Sequence, residues 1–372
     1  MIPSPAPAMA APGAAACDET RIRVLVCDDS AVIRGLVTRM LESDPGITVV
    51  ARAGNGRDAV EAARHTHPDV CVLDVEMPVM DGLAALPELL RIDPQLKVVM
   101  ASTLTTRGAD VALRALRLGA ADYVPKPTTT AAIAGEASFR DELVAKVKGL
   151  GLQRRRLRGL APRPAPAPAP LRPHAGGLAP AVLAIGASTG GPQALFTLFS
   201  GLGRAVPVPL LVTQHMPATF TAILADHLDR IGGPPCAEAK DGEAPLPGRA
   251  YLAPGDTHLT VAQEPGGPRL RLSKAPPENF CRPAVDPMLR SVAAAYGARV
   301  LAIMLTGMGH DGMKGSEAVV AAGGRVIAQD EASSVVWGMP GAVAQAGLAS
   351  AVLPLAGIAA AVMSSFAAGA RA

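Results

Sequence analysis

From Ala161 to Pro170 every second residue is proline, in the run Ala-Pro-Arg-Pro-Ala-Pro-Ala-Pro-Ala-Pro. Each proline fixes its own φ and removes an amide donor, so neither a helix nor a sheet ladder can pass through such a stretch. An extended polyproline II spacer, rising about 3.1 Å per residue, is the form left to it. A chain of 372 residues interrupted in this way must build its cores on either side. The expected division is a disordered Ala/Pro-rich leader over 1–20, a domain over 21–145, a linker over 146–179 and a second domain over 180–369. The basic run Arg154-Arg155-Arg156-Leu157-Arg158 lies in that linker. It is read as solvated, with contact to an anion as the alternative.

Composition narrows the function classes. Hydrophobic residues make up 49% of the chain, enough for real cores, while aromatics reach only 3%. A nucleic-acid binder that stacks bases needs more aromatic platforms than that, so no nucleic-acid partner is expected. The five cysteines, Cys17, Cys27, Cys71, Cys236 and Cys281, show no C-x-x-C spacing. Free thiols in a reducing, cytoplasmic setting are expected. The leader lacks an early Lys or Arg and a compact apolar core, so it is not read as a secretory signal. The apolar stretch Leu348–Ala368 is broken by Pro354, Ser364 and Ser365. Leu355, Ile358, Val362 and Phe366 recur at helical spacing, which predicts a docked terminal helix and no membrane insertion.

In the first domain, Arg23–Cys27, Thr48–Ala53, Val70–Val75, Lys97–Ala101 and Asp122–Val124 read as strands. Helical patterns such as Ala31–Glu42 and Arg57–Arg64 lie between them, which predicts a doubly wound parallel sheet. Asp28 and Asp29 follow the first strand, Asp74 ends the third, Ser102 follows the fourth and Lys126 follows the fifth. The carboxyl ends of parallel strands share one edge, so these residues are expected to converge there. A carboxylate can attack a phosphoryl group. Further acids suit a hard cation such as Mg²⁺. A lysine can pair with the new charge. Taken singly, each residue would read as a turn or surface group; their joint placement carries the inference.

The second domain opens a new α/β pattern. Val182–Ile185, Leu210–Gln214, Val300–Leu305 and Arg325–Ala328 read as buried strands, and residues 236–274 as an antiparallel insertion. Gly186-Ala-Ser-Thr-Gly190 fits G-x-S-x-G at a strand-to-helix turn, which would expose Ser188. A Gly-rich phosphate-binding turn is the alternative, although neither a Walker lysine nor a G-x-G-x-x-G spacing is present. His215 ends the Leu210–Gln214 strand and Asp311 follows the Val300–Leu305 strand. A serine nucleophile, a base and an orienting acid can thus converge. His310, beside Asp311, is the competing base. The order Ser, His, Asp differs from the α/β-hydrolase order.

At these motifs the chain resembles known families. Residues 21–145 resemble response-regulator receivers, a flavodoxin-like fold. The resemblance implies Asp74 as phosphoacceptor, Asp28, Asp29, Asp74 and the Glu76 carbonyl as Mg²⁺ ligands, Ser102 and Tyr123 as switch pair, and Lys126 as the phosphate-binding cation. Residues 180–369 resemble the catalytic domain of chemotaxis protein-glutamate methylesterases, a Rossmann-like doubly wound fold. The matching segments include Gly186-Ala-Ser-Thr-Gly-Gly191, Gln214-His-Met-Pro217, Leu252-Ala-Pro-Gly-Asp256, Arg282-Pro-Ala-Val-Asp286, Leu305-Thr-Gly-Met-Gly309 and Trp337-Gly-Met-Pro340. This resemblance implies Ser188 as nucleophile, His215 as base, Asp311 as its partner, the Met308 amide in the oxyanion hole and Thr189 as an aid to orienting His215.

It further implies hydrolysis of glutamate methyl esters on the cytoplasmic helices of chemoreceptors, with glutamine deamidation open. The esterase step would need no cofactor, and a chemotaxis histidine kinase would be phosphodonor. The receiver is expected to cover the catalytic edge until Asp74 is phosphorylated. Cys281 departs from the histidine that many relatives carry there, and is read as a buried structural thiol. A receptor-binding regulator without catalysis is the remaining alternative, and it would be expected to have lost a triad residue. A DNA-binding output is disfavoured because no basic helix-turn-helix pattern follows the linker.

Overall fold

The computed structural model describes residues 21–103, 105–126, 137–159, 171 and 178–369. The expected leader and the alternating proline run lie outside the described residues. The first domain runs β1 (Ile22–Cys27), α1 (Ala31–Glu42), β2 (Ile47–Ala53), α2 (Gly56–Thr66), β3 (Val70–Asp74), α3 (Gly82–Ile92), β4 (Lys97–Thr103), α4 (Thr106–Arg117), β5 (Asp122–Lys126) and α5 (Ala137–Leu157). Its five strands are parallel in the order β2-β1-β3-β4-β5. β3 is buried at every position, as a strand covered on both faces must be. Short polar residues start the helices: Ser30, Asn55, Asp81 and Thr105 each accept a first-turn amide bond.

The second domain comprises β6 (Val182–Ala187), α6 (Gly191–Leu202), β7 (Leu210–Gln214), α7 (Ala218–Arg230), β8 (Cys236–Glu238), β9 (Ala250–Leu252), β10 (His258–Glu264), β11 (Gly267–Ser273), α8 (Val285–Tyr296), β12 (Val300–Met304), α9 (Met313–Ala321), β13 (Arg325–Gln329), α10 (Met339–Gln345), β14 (Ala351–Leu353) and α11 (Leu355–Gly369). Seven strands lie parallel in the order β14-β13-β12-β6-β7-β9-β8. β6 is central: the chain moves from it to β7 on one side and later to β12 on the other. That reversal opens a crevice at the carboxyl end of β6, where α/β sheets place ligands.

Two expectations change. Among the strands of the described residues, only β10 and β11 pair antiparallel. β8 and β9, inside the stretch read as an antiparallel insertion, extend the parallel sheet instead. Three-residue strands are too short for their periodicity to reveal direction. The basic run is not simply solvated either. α5 continues through residue 145 to Leu157 and carries Arg154 into a fully buried position. There Arg154 pairs with Asp93 and with Asp69 (3.3 Å). A buried guanidinium needs such partners to offset desolvation.

The domains touch. Tyr123 stacks on Phe220 with ring centroids 4.5 Å apart. Gln193 donates to the Leu116 carbonyl (2.9 Å) and to that of Ala120, and His227 pairs with Asp110 (3.2 Å). One apolar cluster therefore runs from the first core into the second. The terminal helix docks as expected, with Ile358 and Val362 fully buried. Among the described residues no helix is long and apolar enough to cross a membrane.

Candidate functional site

The first-domain pocket gathers the five strand-end residues. Asp28, Asp29 and Asp74 each offer a carboxylate oxygen within 4.8 Å of the others. Three hard oxygen donors this close fit a Mg²⁺ ion better than a soft or transition metal. Lys126 Nζ lies 2.5 Å from Asp28 and 2.7 Å from Asp74. Burial pushes the Asp74 carboxyl up, and Lys126 opposes that shift. Glu76 projects outward, 3.9 Å from Arg107. Ser102 is buried next to Asp74's strand partner Ala101, and its hydroxyl donates to the Thr103 carbonyl (3.3 Å). Tyr123 is also buried, with the Lys146 ammonium 4.9 Å from its ring centre and Phe220 on the ring. The switch-pair candidate Tyr123 thus lies inside the contact between domains.

The second site forms in the crevice after β6. Sheet register sets Ala187 opposite Gln214, so Ser188 and His215 leave adjacent strands at the same level. The His215 amide donates to the Ala187 carbonyl (3.1 Å), and the Ser188 amide to the Thr306 carbonyl (3.0 Å). Gln214 clamps both loops by donating to the carbonyls of Ser188 (2.9 Å) and His215 (3.2 Å). Gly191 makes that clamp feasible: a Cβ there would lie 2.0 Å from the Gln214 side-chain oxygen. Gly190, at φ 73°, supplies the left-handed turn into α6, where a side chain is strained.

Asp311 is the anchor. Its Oδ2 lies 2.7 Å from His215 Nε2 and accepts the Val285 amide (2.6 Å). Its Oδ1 accepts the Asp286 amide (3.1 Å) and Asn279 Nδ2 (2.8 Å). Burial alone would raise this carboxyl, but the His215 hydrogen bond and the two amides outweigh it and hold it below the usual range. Burial would likewise depress His215, yet hydrogen bonds to Asp311 and Cys281 raise it to about 9. Cys281 Sγ stands 3.4 Å from His215 Nδ1. The thiol is only partly buried and touches the candidate base, so it is not the buried structural group expected from sequence.

His215 and Asp311 are hydrogen-bonded; Ser188 lies beside them, and its hydroxyl makes no hydrogen bond among the described residues. Loose nucleophile contacts are common before substrate binds. Gly307 packs on Ser188, since a Cβ there would be 2.8 Å from the serine Cβ. This sets the neighbouring Met308 at the mouth, with its side chain 39% exposed. Thr189 is buried and its carbonyl accepts from Thr306 (2.9 Å); its side chain is not bonded to His215. His310 is exposed and makes no bond to Asp311. Sequence reasoning missed Asn279. Its only local signal was a turn-forming residue between Pro-Pro-Glu and Cys-Arg-Pro, and its role depends on contacts 32 residues away.

Residues 183–362 match the family model for CheB methylesterase, and residues 24–137 match that for the response regulator receiver domain. The chain is 58% identical over 373 residues to the protein-glutamate methylesterase/protein-glutamine glutaminase of Azospirillum brasilense, across 95% of this chain and 94% of that one. It is 57% identical over 357 residues to protein-glutamate methylesterase/protein-glutamine glutaminase 1 of Paramagnetospirillum magneticum, across 90% and 93%. The crystal structure of the Thermotoga maritima CheB methylesterase catalytic domain is 41% identical, with a TM-score of 0.49, over 50% of this chain and 99% of that one.

Proposed function

The chain belongs to the CheB methylesterase family, and on that premise we propose a phosphorylation-controlled hydrolase of glutamate methyl esters on chemoreceptors. The observation that carries the chemistry is the 2.7 Å His215–Asp311 bond beside a serine on the adjacent strand end. With Nε2 tied to Asp311, His215 Nδ1 takes the Ser188 proton as Oγ attacks the γ-carbonyl. Nδ1 must exchange its Cys281 contact to do so. The Met308 amide receives the oxyanion. The proton passes from His215 to the leaving methoxide, methanol departs, and water then releases the glutamate from Ser188 by the reverse proton path. The side-chain amide of glutamine presents the same γ-carbonyl with ammonia as leaving group, so deamidation belongs to the same proposal.

Control begins at Asp74, whose carboxylate accepts a phosphoryl group, with a chemotaxis histidine kinase as donor. Asp28, Asp29 and Asp74, with the Glu76 carbonyl, would hold Mg²⁺, which when bound neutralises charge on the transferring oxygens. Lys126, already bonded to Asp28 and Asp74, pairs with the phosphoryl group. Ser102 and Tyr123 respond, and Tyr123 is the residue stacked on Phe220. The Asp122 carboxylate, next to it, faces the Gly190 amide in the nucleophile turn. The receiver, over 21–145 with α5 as its continuation, therefore acts on the turns and helices behind Ser188 and His215. The catalytic domain occupies 180–369.

A serine-directed fluorophosphonate tests the assignment. Ser188 is expected to be the labelled residue by peptide mass spectrometry, with labelling slowed by methylated receptor. Labelling elsewhere, or none, would remove the nucleophile assignment.

A further inference from the structure

Asn279 and Phe280 have left-handed backbone in succession, at φ 52° and 64°. They are the centre of a tight turn: the Glu278 amide donates to the Cys281 carbonyl (3.1 Å) and the Cys281 amide to the Glu278 carbonyl (2.9 Å). Such a turn favours Asn first and Gly second. A bulky aromatic in the second place is a steric outlier. Packing does not compensate for it, because the Phe280 side chain is fully exposed, at 102%.

The turn is nevertheless fastened on all sides. The Arg290 guanidinium donates to both Glu278 carboxylate oxygens (2.7 and 2.6 Å). Asn279 reaches Asp286 (2.9 Å) and Asp311 (2.8 Å), and Cys281 touches His215. Phe280 is therefore held between two residues that contact the catalytic pair. Strain that persists because its surroundings enforce it gathers at ligand contacts. From residue 180 onward, three large apolar side chains are exposed among the described residues: Leu246, Phe280 and Met308. Two of the three flank the site. Both are exposed with the first domain docked, because that domain packs on α6, α7 and the 331–336 loop instead.

We propose that Phe280 determines specificity for the protein substrate: its ring packs on an apolar side chain of the methylated protein beside the esterified glutamate. Met308 bounds the same contact from across the Ser188 loop. This rests on the methylesterase reading above. A small glutamate ester lacks the flanking apolar residue, so the ring acts on binding of the protein ester alone.

The test measures full-length, phosphodonor-treated protein on methylated receptor and on N-acetylglutamate γ-methyl ester amide. For Phe280→Ala, KM for the receptor should rise about 10-fold, the order that partial burial of an aromatic ring is worth. Its kcat should stay within about twofold, as should kcat/KM for the small ester. Phe280→Leu should restore most of the affinity. Phe280→Gly, which relieves the backbone, should lose as much as Phe280→Ala. An unchanged receptor KM in Phe280→Ala would overturn the proposal, as would equal losses on both esters. Failure of the underlying reading shows differently, as wild-type protein inert toward both esters, and that result would overturn the proposal with it.

Discussion

Replacing Asp311 with asparagine tests how the base is held. Asp311 receives four donors on two oxygens: His215 Nε2 and the Val285 amide on one, the Asp286 amide and Asn279 Nδ2 on the other. Asparagine keeps one acceptor oxygen and turns its NH₂ toward the other two donors. Two buried bonds are lost whichever way the amide lies, so a stability loss of about 2–4 kcal/mol is expected. The same change removes the Asp311 charge, which together with Cys281 holds His215 at about 9 instead of 6.5. The full difference, shared between the two partners, is worth about 3 kcal/mol. His215 is raised in the folded state, so its stabilisation is complete below pH 6.5 and is lost as pH rises through about 9. The neutral base appears over the same interval. The parent protein should therefore gain activity toward pH 9 while losing stability.

In Asp311→Asn, the acid limb of the pH–rate profile should move down from about 9, with the Cys281 contact retaining part of the shift, and the maximal rate should fall about 10³–10⁴-fold. Methanol release across pH 5.5–10 and urea unfolding at both ends of that range measure the two effects. An acid limb left near 9 in the variant, or a wild-type stability that does not fall over that interval, would refute the reasoning.

Asp74→Asn should abolish stimulation by acetyl phosphate while leaving the basal rate intact, read as methanol release with and without the donor. Gln193→Ala removes the bonds to the Leu116 and Ala120 carbonyls. It should raise the unphosphorylated rate about 2- to 10-fold in the same assay. Arg154→Ala leaves Asp69 and Asp93 without their buried cation. Arg158 still reaches both carboxylates (3.5 and 3.4 Å), so the change should cost about 1–3 kcal/mol in urea unfolding, with little change in kcat for the fraction that stays folded.

Residues whose meaning depends on strand ends could be read from the sequence. Parallel strands bring their carboxyl ends to one edge, so Asp28, Asp74 and Lys126 could be placed together from local patterns, as could Ser188, His215 and Asp311. What escaped depends on distant packing. Arg154 is indistinguishable in sequence from Arg155, Arg156 and Arg158 until α5 buries it over Asp69 and Asp93. Asn279 and Cys281 acquire their contacts only when the turn that carries them folds onto β7 and the Asp311 loop. Tyr123 was singled out as a switch residue, but Phe220, the ring it meets, carried no local signal. The directions of β8 and β9 were lost because three residues hold too little periodicity.

The central claim is that Ser188 performs an ester hydrolysis set by phosphorylation at Asp74. Methanol release from methylated receptor, with and without acetyl phosphate and Mg²⁺, tests both parts at once in wild type and Ser188→Ala. The account predicts release that rises with the phosphodonor in wild type and is absent in the variant under both conditions. Release by Ser188→Ala near the wild-type rate, or a wild-type rate indifferent to the phosphodonor, would contradict it.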